Sequence, residues 1–240
     1  MSPESPYKEL IALRQRVAQL ETEIESKSWI NRQKALMSVI TKVRQSMNLE
    51  TIFQTGTQEV RQLLNADRVA VFRFDPDSYN EGEFVSEDVL PPFGSALSTK
   101  VRDRCFGEQY AVHYQQGRIQ AVADIHHSGL SDCHVEILSQ FQIRANLVVP
   151  LLQGEHLWGL LCIHQCNQPR DWQQEEIEFA QTVAVHLAVA IGQAESLAQT
   201  RQQLKELACI NAALKAETNY CQQAEVQLTQ VKAELESKVE

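Results

Sequence analysis

Positive charge is scarce in this 240-residue chain: 22 Lys and Arg face 31 Asp and Glu, a formal net charge of −9. Nucleic acid and anionic lipid surfaces need a cationic face, so neither is an expected partner. Long apolar runs are missing too, and the uncharged stretch from Val183 to Ile191 is far too short to cross a bilayer. The first residues, Met-Ser-Pro-Glu-Ser-Pro, have neither the basic start nor the apolar centre of a secretory leader. A cytoplasmic protein is expected, with its six cysteines mostly reduced rather than built into a disulfide framework. No glycine-rich phosphate loop or Walker pattern is present. No catalytic domain is visible either, so the chain is expected not to be an enzyme, with any output domain lying outside it.

Proline and glycine are absent from residue 194 onwards, and there the heptads begin. Leu207, Leu214, Cys221, Leu228 and Leu235 recur every seven residues, beside Ile210, Glu217, Ala224 and Val231. Such a helix cannot bury its stripe alone and is expected to pair, although Glu217 and Cys221 weaken the seam. At the other end Leu10, Leu13, Val17, Leu20 and Ile24 alternate in steps of three and four, another heptad seam. That pattern continues through Trp29, Leu36, Val39, Ile40 and Val43 as a helix entering a core. A break at residues 48–51 separates it from an amphipathic helix over Ile52 to Leu64.

Between the helical arms the pattern is mixed. Arg68 to Phe74 reads as a strand ending at Asp75-Pro76, and Glu83 to Leu90 as the next, stopped by Pro91-Pro92. Asn146 to Leu152 and His156 to His164 flank Gln153-Gly154-Glu155 as an antiparallel hairpin. Ile177, Ala180, Val183, Ala184, Leu187, Ala190 and Ile191 form a buried helical stripe. Residues 93–145 make a long irregular insertion with short helices, and connections of that length usually carry function.

Two cysteines stand out in the insertion: Cys105, within Asp103-Arg104-Cys105-Phe106, and Cys133, within Ser131-Asp132-Cys133-His134. Ser131 or Asp132 can cap a helix with the apolar stripe Val135, Leu138, Phe141 and Ile143. Cys133 then falls in the first turn, where the helix dipole and free N–H groups favour a thiolate, with Asp132 opposing. Arg102 and Arg104 favour a Cys105 thiolate if they point inward. Two reactive thiols ahead of an apolar hairpin suggest a pocket that grips an electrophilic ligand at two points.

The segments Asp103-Arg104-Cys105-Phe106, Tyr114-Gln115-Gln116-Gly117-Arg118, Asp124-Ile125, Cys133-His134, Asn146-Leu147-Val148-Val149-Pro150, Leu157-Trp158-Gly159-Leu160-Leu161 and His164-Gln165-Cys166 occur in this order. Together they resemble the bilin-binding GAF domains of cyanobacteriochromes, in the Asp-Xaa-Cys-Phe subgroup that uses two cysteines. The resemblance covers roughly residues 30 to 195. It implies an α+β fold: a GAF domain with a central antiparallel sheet at 30–195, an N-terminal coiled-coil helix over 1–29 and a C-terminal coiled-coil signalling helix over 196–240. It also implies a photoreceptor of blue/green type carrying phycocyanobilin or phycoviolobilin, a covalent linear tetrapyrrole that switches between 15Z and 15E forms. A parallel homodimer through the flanking helices would pass the change to a downstream output domain.

By the same resemblance, Cys133 forms the permanent thioether to the A-ring side chain and Cys105 adds reversibly to the central methine bridge. Asp103 accepts hydrogen bonds from pyrrole N–H groups, and His134 and Phe106 line the inner rings. His164 donates to the D-ring carbonyl if strand alternation turns it inward. Arg118 pairs with a propionate beside Tyr114 on the pocket wall, with Lys100, Arg102 and Arg144 in reserve. Val101 stands where red/green relatives tend to carry an aromatic residue, which fits the two-cysteine subgroup. His113 stands where some relatives carry a basic propionate partner.

Three other readings stay open. A thiol enzyme would need Cys133 and His134 as a pair, but neighbours in one helical turn project apart. A metal site could draw on Cys162, His164 and Cys166, alternate positions of one strand, with His126 and His127; no second cluster at zinc spacing supports it. A GAF domain that binds a nucleotide or other small ligand without photochemistry, or only dimerises, would stay colourless when bilin is supplied.

Overall fold

The computed structural model describes residue 16, residues 33–76 and residues 78–239. The heptad pattern over residues 10–24 and Trp29 lies outside the described residues, apart from a helical Arg16. Two compact units are present, Met1–Gly192 and Gln193–Glu240.

In the first unit helix α1, residues 33–44, buries Val39, Ile40 and Val43, as its spacing predicts. Asn48 ends the break expected at 48–51 and starts the next helix at once, because its side chain accepts the Thr51 N–H at 3.2 Å. Helix α2, Leu49–Leu64, closes with Asn65 in the left-handed region. It lays Phe53 against Trp158 (centroids 5.6 Å apart) and packs closely on the helix Gln174–Val239, labelled α6 below. A Cβ at Gly56 would lie 2.8 Å from Leu187 Cδ2, so glycine permits this approach without displacing the leucine.

Six antiparallel strands form one sheet: β1 Arg68–Asp75, β2 Ser78–Val89, β3 Lys100–Arg102, β4 Gln120–Val122, β5 Ala145–Gln153 and β6 His156–Gln165. Their order across the sheet is β3-β2-β1-β6-β5-β4. The β5–β6 hairpin falls where the apolar runs place it, with Gly154 at φ +62° in its turn. Strand β2 starts five residues before the expected Glu83. Its first half, Ser-Tyr-Asn-Glu-Gly, is polar, and pairing with β1 and β3 rather than apolar alternation holds it.

The insertion over 93–145 carries β3, α3 Arg104–Gln109, α4 Ala111–Gln115, β4, a 3-10 turn Ile125–His127 and α5 Asp132–Gln140. These elements cover one sheet face around Phe72, Phe74, Phe84, Phe106, Tyr114 and Cys162. A smaller cluster of Val122, Ile125, Leu138 and Ile143 lies beside it.

Helix α6 begins with the predicted stripe: Ala180, Val183, Ala184, Leu187, Ala190 and Ile191 are all buried. It is the one described helix long and apolar enough by composition to cross a membrane. That composition comes from the residues just named, which pack inside the first unit. In the second unit Leu207, Ile210, Leu214, Leu228, Val231 and Leu235 are each more than half exposed.

Candidate functional site

Both singled-out cysteines occupy the second position of a short helix, Cys105 in α3 and Cys133 in α5. The structure joins them as a disulfide, with Cα atoms 6.7 Å apart. This departs from the reading of these two as free thiols, while the six cysteines remain mostly reduced as expected. The first turns of α3 and α5 face one another, so two sulfurs 28 residues apart in sequence become neighbours. Ser131 is the N-cap of α5 by backbone position, yet its side chain caps nothing; Oγ lies 3.4 Å from Cys133 Sγ instead. Cys162, Cys166, Cys209 and Cys221 are free.

Asp103 ties the two helices together. Its Oδ1 accepts the Phe106 N–H at 2.8 Å, capping α3, and its Oδ2 lies 2.6 Å from His134 Nδ1 on α5. Both side chains are largely buried. The two groups expected to meet pyrrole nitrogens therefore satisfy each other here. His134 also lies among aromatic rings, 5.8 Å from Tyr110 and 6.4 Å from Phe106 between centroids.

Beneath this bridge is a cavity of about 80 Å³ with an aromatic wall of Phe72, Phe74, Phe84 and Phe106. Phe74 stacks on Phe106 at 5.4 Å, and Phe72 meets both Phe74 and Phe84 edge-on at 5.2 Å. Tyr114 is 2% exposed and donates its hydroxyl to Gln120 Oε1 at 2.8 Å. Burial, with a smaller push from Cys162, drives its pKa far above the ordinary phenol value, so it stays neutral.

His164 faces inward. It is 2% exposed and lines the cavity with Asn146, its directly paired residue on β5. Burial first, and the Arg68 cation second, push its pKa down to about 3, so the ring is neutral at ordinary pH. His164 Nδ1, Asn146 Oδ1 and Asn80 Oδ1 are buried without a hydrogen-bond partner. Buried polar atoms are nearly always paired, so three orphans around one cavity mark a place prepared for a polar ligand.

The remaining expected residues lie elsewhere. Arg118 is exposed and off the cavity wall, near enough to Tyr114 to be felt electrostatically. Arg102 and Arg104 point to solvent, against the reading that they steady a thiolate; they pair with Glu81 at 3.0 Å and Glu108 at 3.7 Å. Lys100 is exposed, and Arg144 donates to Asp124 Oδ2 at 2.8 Å. Among the described residues no group of three or more His, Cys, Asp or Glu side chains could hold a metal ion.

Sequence reasoning missed three contributors: Asn80, Asn146 and Arg68. Arg68 is 1% exposed, and its guanidinium donates to Phe141 O at 2.7 Å and Gly94 O at 2.6 Å. Its Nε lies 2.8 Å from Glu87 Oε1 but off the N–H direction, an ion pair rather than a hydrogen bond. An arginine opening directly onto the apolar run Val69–Phe72 was the available signal.

Residues 48–191 match the GAF domain family model. The chain belongs to the GAF domain family. The blue-light-absorbing form of the PixJ GAF domain of Thermosynechococcus elongatus is 38% identical, with a TM-score of 0.60 over 66% of this chain and 93% of that one. A far-red-absorbing dark state with bound biliverdin IXα is 36% identical, with a TM-score of 0.62 over 67% of this chain and 99% of that one. A Synechocystis protein provisionally named a methyl-accepting chemotaxis protein is 39% identical over 166 residues, 69% of this chain. The present chain spans only 16% of that protein's length. As a GAF domain with these neighbours, its α+β fold is the one its motifs imply.

Proposed function

We propose that this GAF domain is a photosensor that holds a linear tetrapyrrole covalently and switches between 15Z and 15E forms. The observation that carries the reading is the meeting of Cys105, Cys133, Asp103 and His134 at the edge of an aromatic cavity with orphaned polar atoms beneath. Similarity to a GAF structure with bound biliverdin and to a blue-light-absorbing one supports it. The donor set fits a bilin: thiols for carbon electrophiles, a carboxylate for ring N–H groups, and aromatic walls for flat rings. The present cavity is smaller than the roughly 300–1,000 Å³ of ligand pockets, so the covering segment must move outward to admit one.

Bound, phycocyanobilin or phycoviolobilin supplies the conjugated chain that light isomerises. Cys133 holds it throughout as a thioether. Cys105 would give the second, reversible link, its thiol supplying the sulfur and the proton that add across the central bridge and leave together. Addition shortens the conjugation, so the linked state absorbs in the violet-to-blue and the released state in the green. Asp103 and His134, 2.6 Å apart, hold a proton at the Oδ2–Nδ1 contact beside both sulfurs. The exposed heptads of α6 serve a parallel homodimer that relays the change to an output domain outside this chain.

Co-expression with phycocyanobilin biosynthesis tests the reading, with difference spectra for wild type, Cys105→Ala and Cys133→Ala. The short-wavelength state should vanish in Cys105→Ala and denaturant-resistant colour in Cys133→Ala. A colourless wild-type protein overturns the reading and leaves a GAF domain for some other small ligand.

A further inference from the structure

The polar floor of the cavity stands apart from the cysteine end. Asn146 is 5% exposed and His164 2% exposed. They are direct partners across the β5–β6 ladder, so both side chains leave the same sheet face with Cβ atoms about 5 Å apart. Asn146 Oδ1 and His164 Nδ1 each lack a partner, and both residues line the cavity. Leaving such atoms unpaired is costly, which a fold tolerates where a ligand later meets them.

We infer that Asn146 adds a second point to the D-ring contact that the resemblance gives His164, with Asn146 Oδ1 accepting the N–H of the terminal lactam ring of the bound bilin. The inference rests on the bilin reading and deepens it. A lactam presents one N–H donor and one C=O acceptor side by side, and the floor presents one acceptor and one imidazole nitrogen that donates when it carries the ring proton. Burial keeps that imidazole neutral, so one nitrogen donates and no charge has to be desolvated with the ligand. Asn146 thereby fixes the orientation of the ring that light turns. A single water bridging the two atoms is the competing occupant. It would stabilise the free protein equally with or without bilin.

The test compares wild type, Asn146→Leu and Asn146→Ser as full chains, free and loaded with phycocyanobilin. Asn146→Leu removes an unpaired atom from the free protein, so its free-state Tm should equal or exceed wild type, and the Tm gain on loading should shrink. In nitrogen-labelled bilin, hydrogen exchange of the terminal-ring N–H should quicken by about tenfold, the change from losing one buried hydrogen bond. Asn146→Ser keeps a hydroxyl acceptor, should fall between the two, and decides the matter if the leucine variant does not fold. Covalent colour in denaturant should persist in all three. Equal Tm gains and unchanged exchange overturn the inference while the bilin reading stands. Failure of wild type to take up bilin overturns both.

Discussion

Cys105 and Cys133 sit on facing helix starts with Cα atoms 6.7 Å apart, joined sulfur to sulfur. Neither sulfur can act as a nucleophile in that state, because the thiolate is the reactive form. Chromophore attachment should therefore depend on reduction. Apoprotein purified without reductant should show the Cys105–Cys133 peptide by mass spectrometry and attach phycocyanobilin slowly. Dithiothreitol should speed attachment at least tenfold while leaving Cys105→Ala unaffected. Equal rates for wild type with and without reductant would count against the prediction.

Asp103 has two structural duties before any ligand arrives, and two substitutions separate them. Asp103→Asn keeps an oxygen for the Phe106 N–H but loses the charge facing His134. Asp103→Ala loses both, and removal of the cap alone costs about 0.5–2 kcal/mol. Urea unfolding of the apoprotein should rank wild type, then Asn, then Ala.

Arg68 and Glu87 are buried together, with side chains 1% and 3% exposed. Arg68→Leu strands the Glu87 carboxylate, which also accepts from Ser95 and the Ala96 N–H. A loss of about 3–5 kcal/mol is expected, measurable as a lower urea midpoint, with rescue by a second change, Glu87→Gln.

His164 gives stability a pH dependence of defined sign. Its pKa is about 3 when folded and ordinary when unfolded, so the unfolded chain takes up the proton first as pH falls. Its contribution is intact above the ordinary histidine value near 6.5 and is lost as pH falls toward 3, at up to about 1.4 kcal/mol per pH unit. Arg68 beside it deepens the effect, and Glu87→Gln and Asp67→Asn backgrounds serve as controls for the nearby carboxylates. His164→Gln should flatten the apoprotein's urea-midpoint profile between pH 6.5 and 5.

Cys221 is free and exposed on the Leu207–Leu235 seam, whereas Cys209 lies off it. In a parallel paired helix each seam residue meets its own copy. Mild oxidation should give a dimer on non-reducing gels that Cys221→Ser abolishes and Cys209→Ser does not. Cross-linking through Cys209 would place the seam on another face.

The elements that patterning identified are those whose residues answer to one rule. The β5–β6 hairpin is two unbroken apolar runs around a glycine turn, and the α6 stripe from Ala180 to Ile191 keeps helical spacing. The start of β2 hid in the polar run Ser78 to Gly82, because strand pairing rather than side-chain burial sets it. The cysteines, Asp103 and His134 were legible as chemistry through their motifs. Their mutual contacts were not, since the Cys105–Cys133 bond and the Asp103–His134 pair join positions about 30 residues apart. Asn146 looked like one more strand residue. Only the three-dimensional neighbourhood shows that its oxygen has nothing to bond.

Arg68 holds Gly94 O at one end of the covering insertion and Phe141 O near the other, both on the same guanidinium. The two roots of the insertion are thus riveted to the sheet at a single point, while its middle helices α3 and α5 are fastened to one another by the Cys105–Cys133 bond and the Asp103–His134 contact. With the sulfur bond cut, a single buried carboxylate–imidazole contact is left to latch α3 to α5 over the cavity, so the redox state of two thiols decides how many bolts close the door.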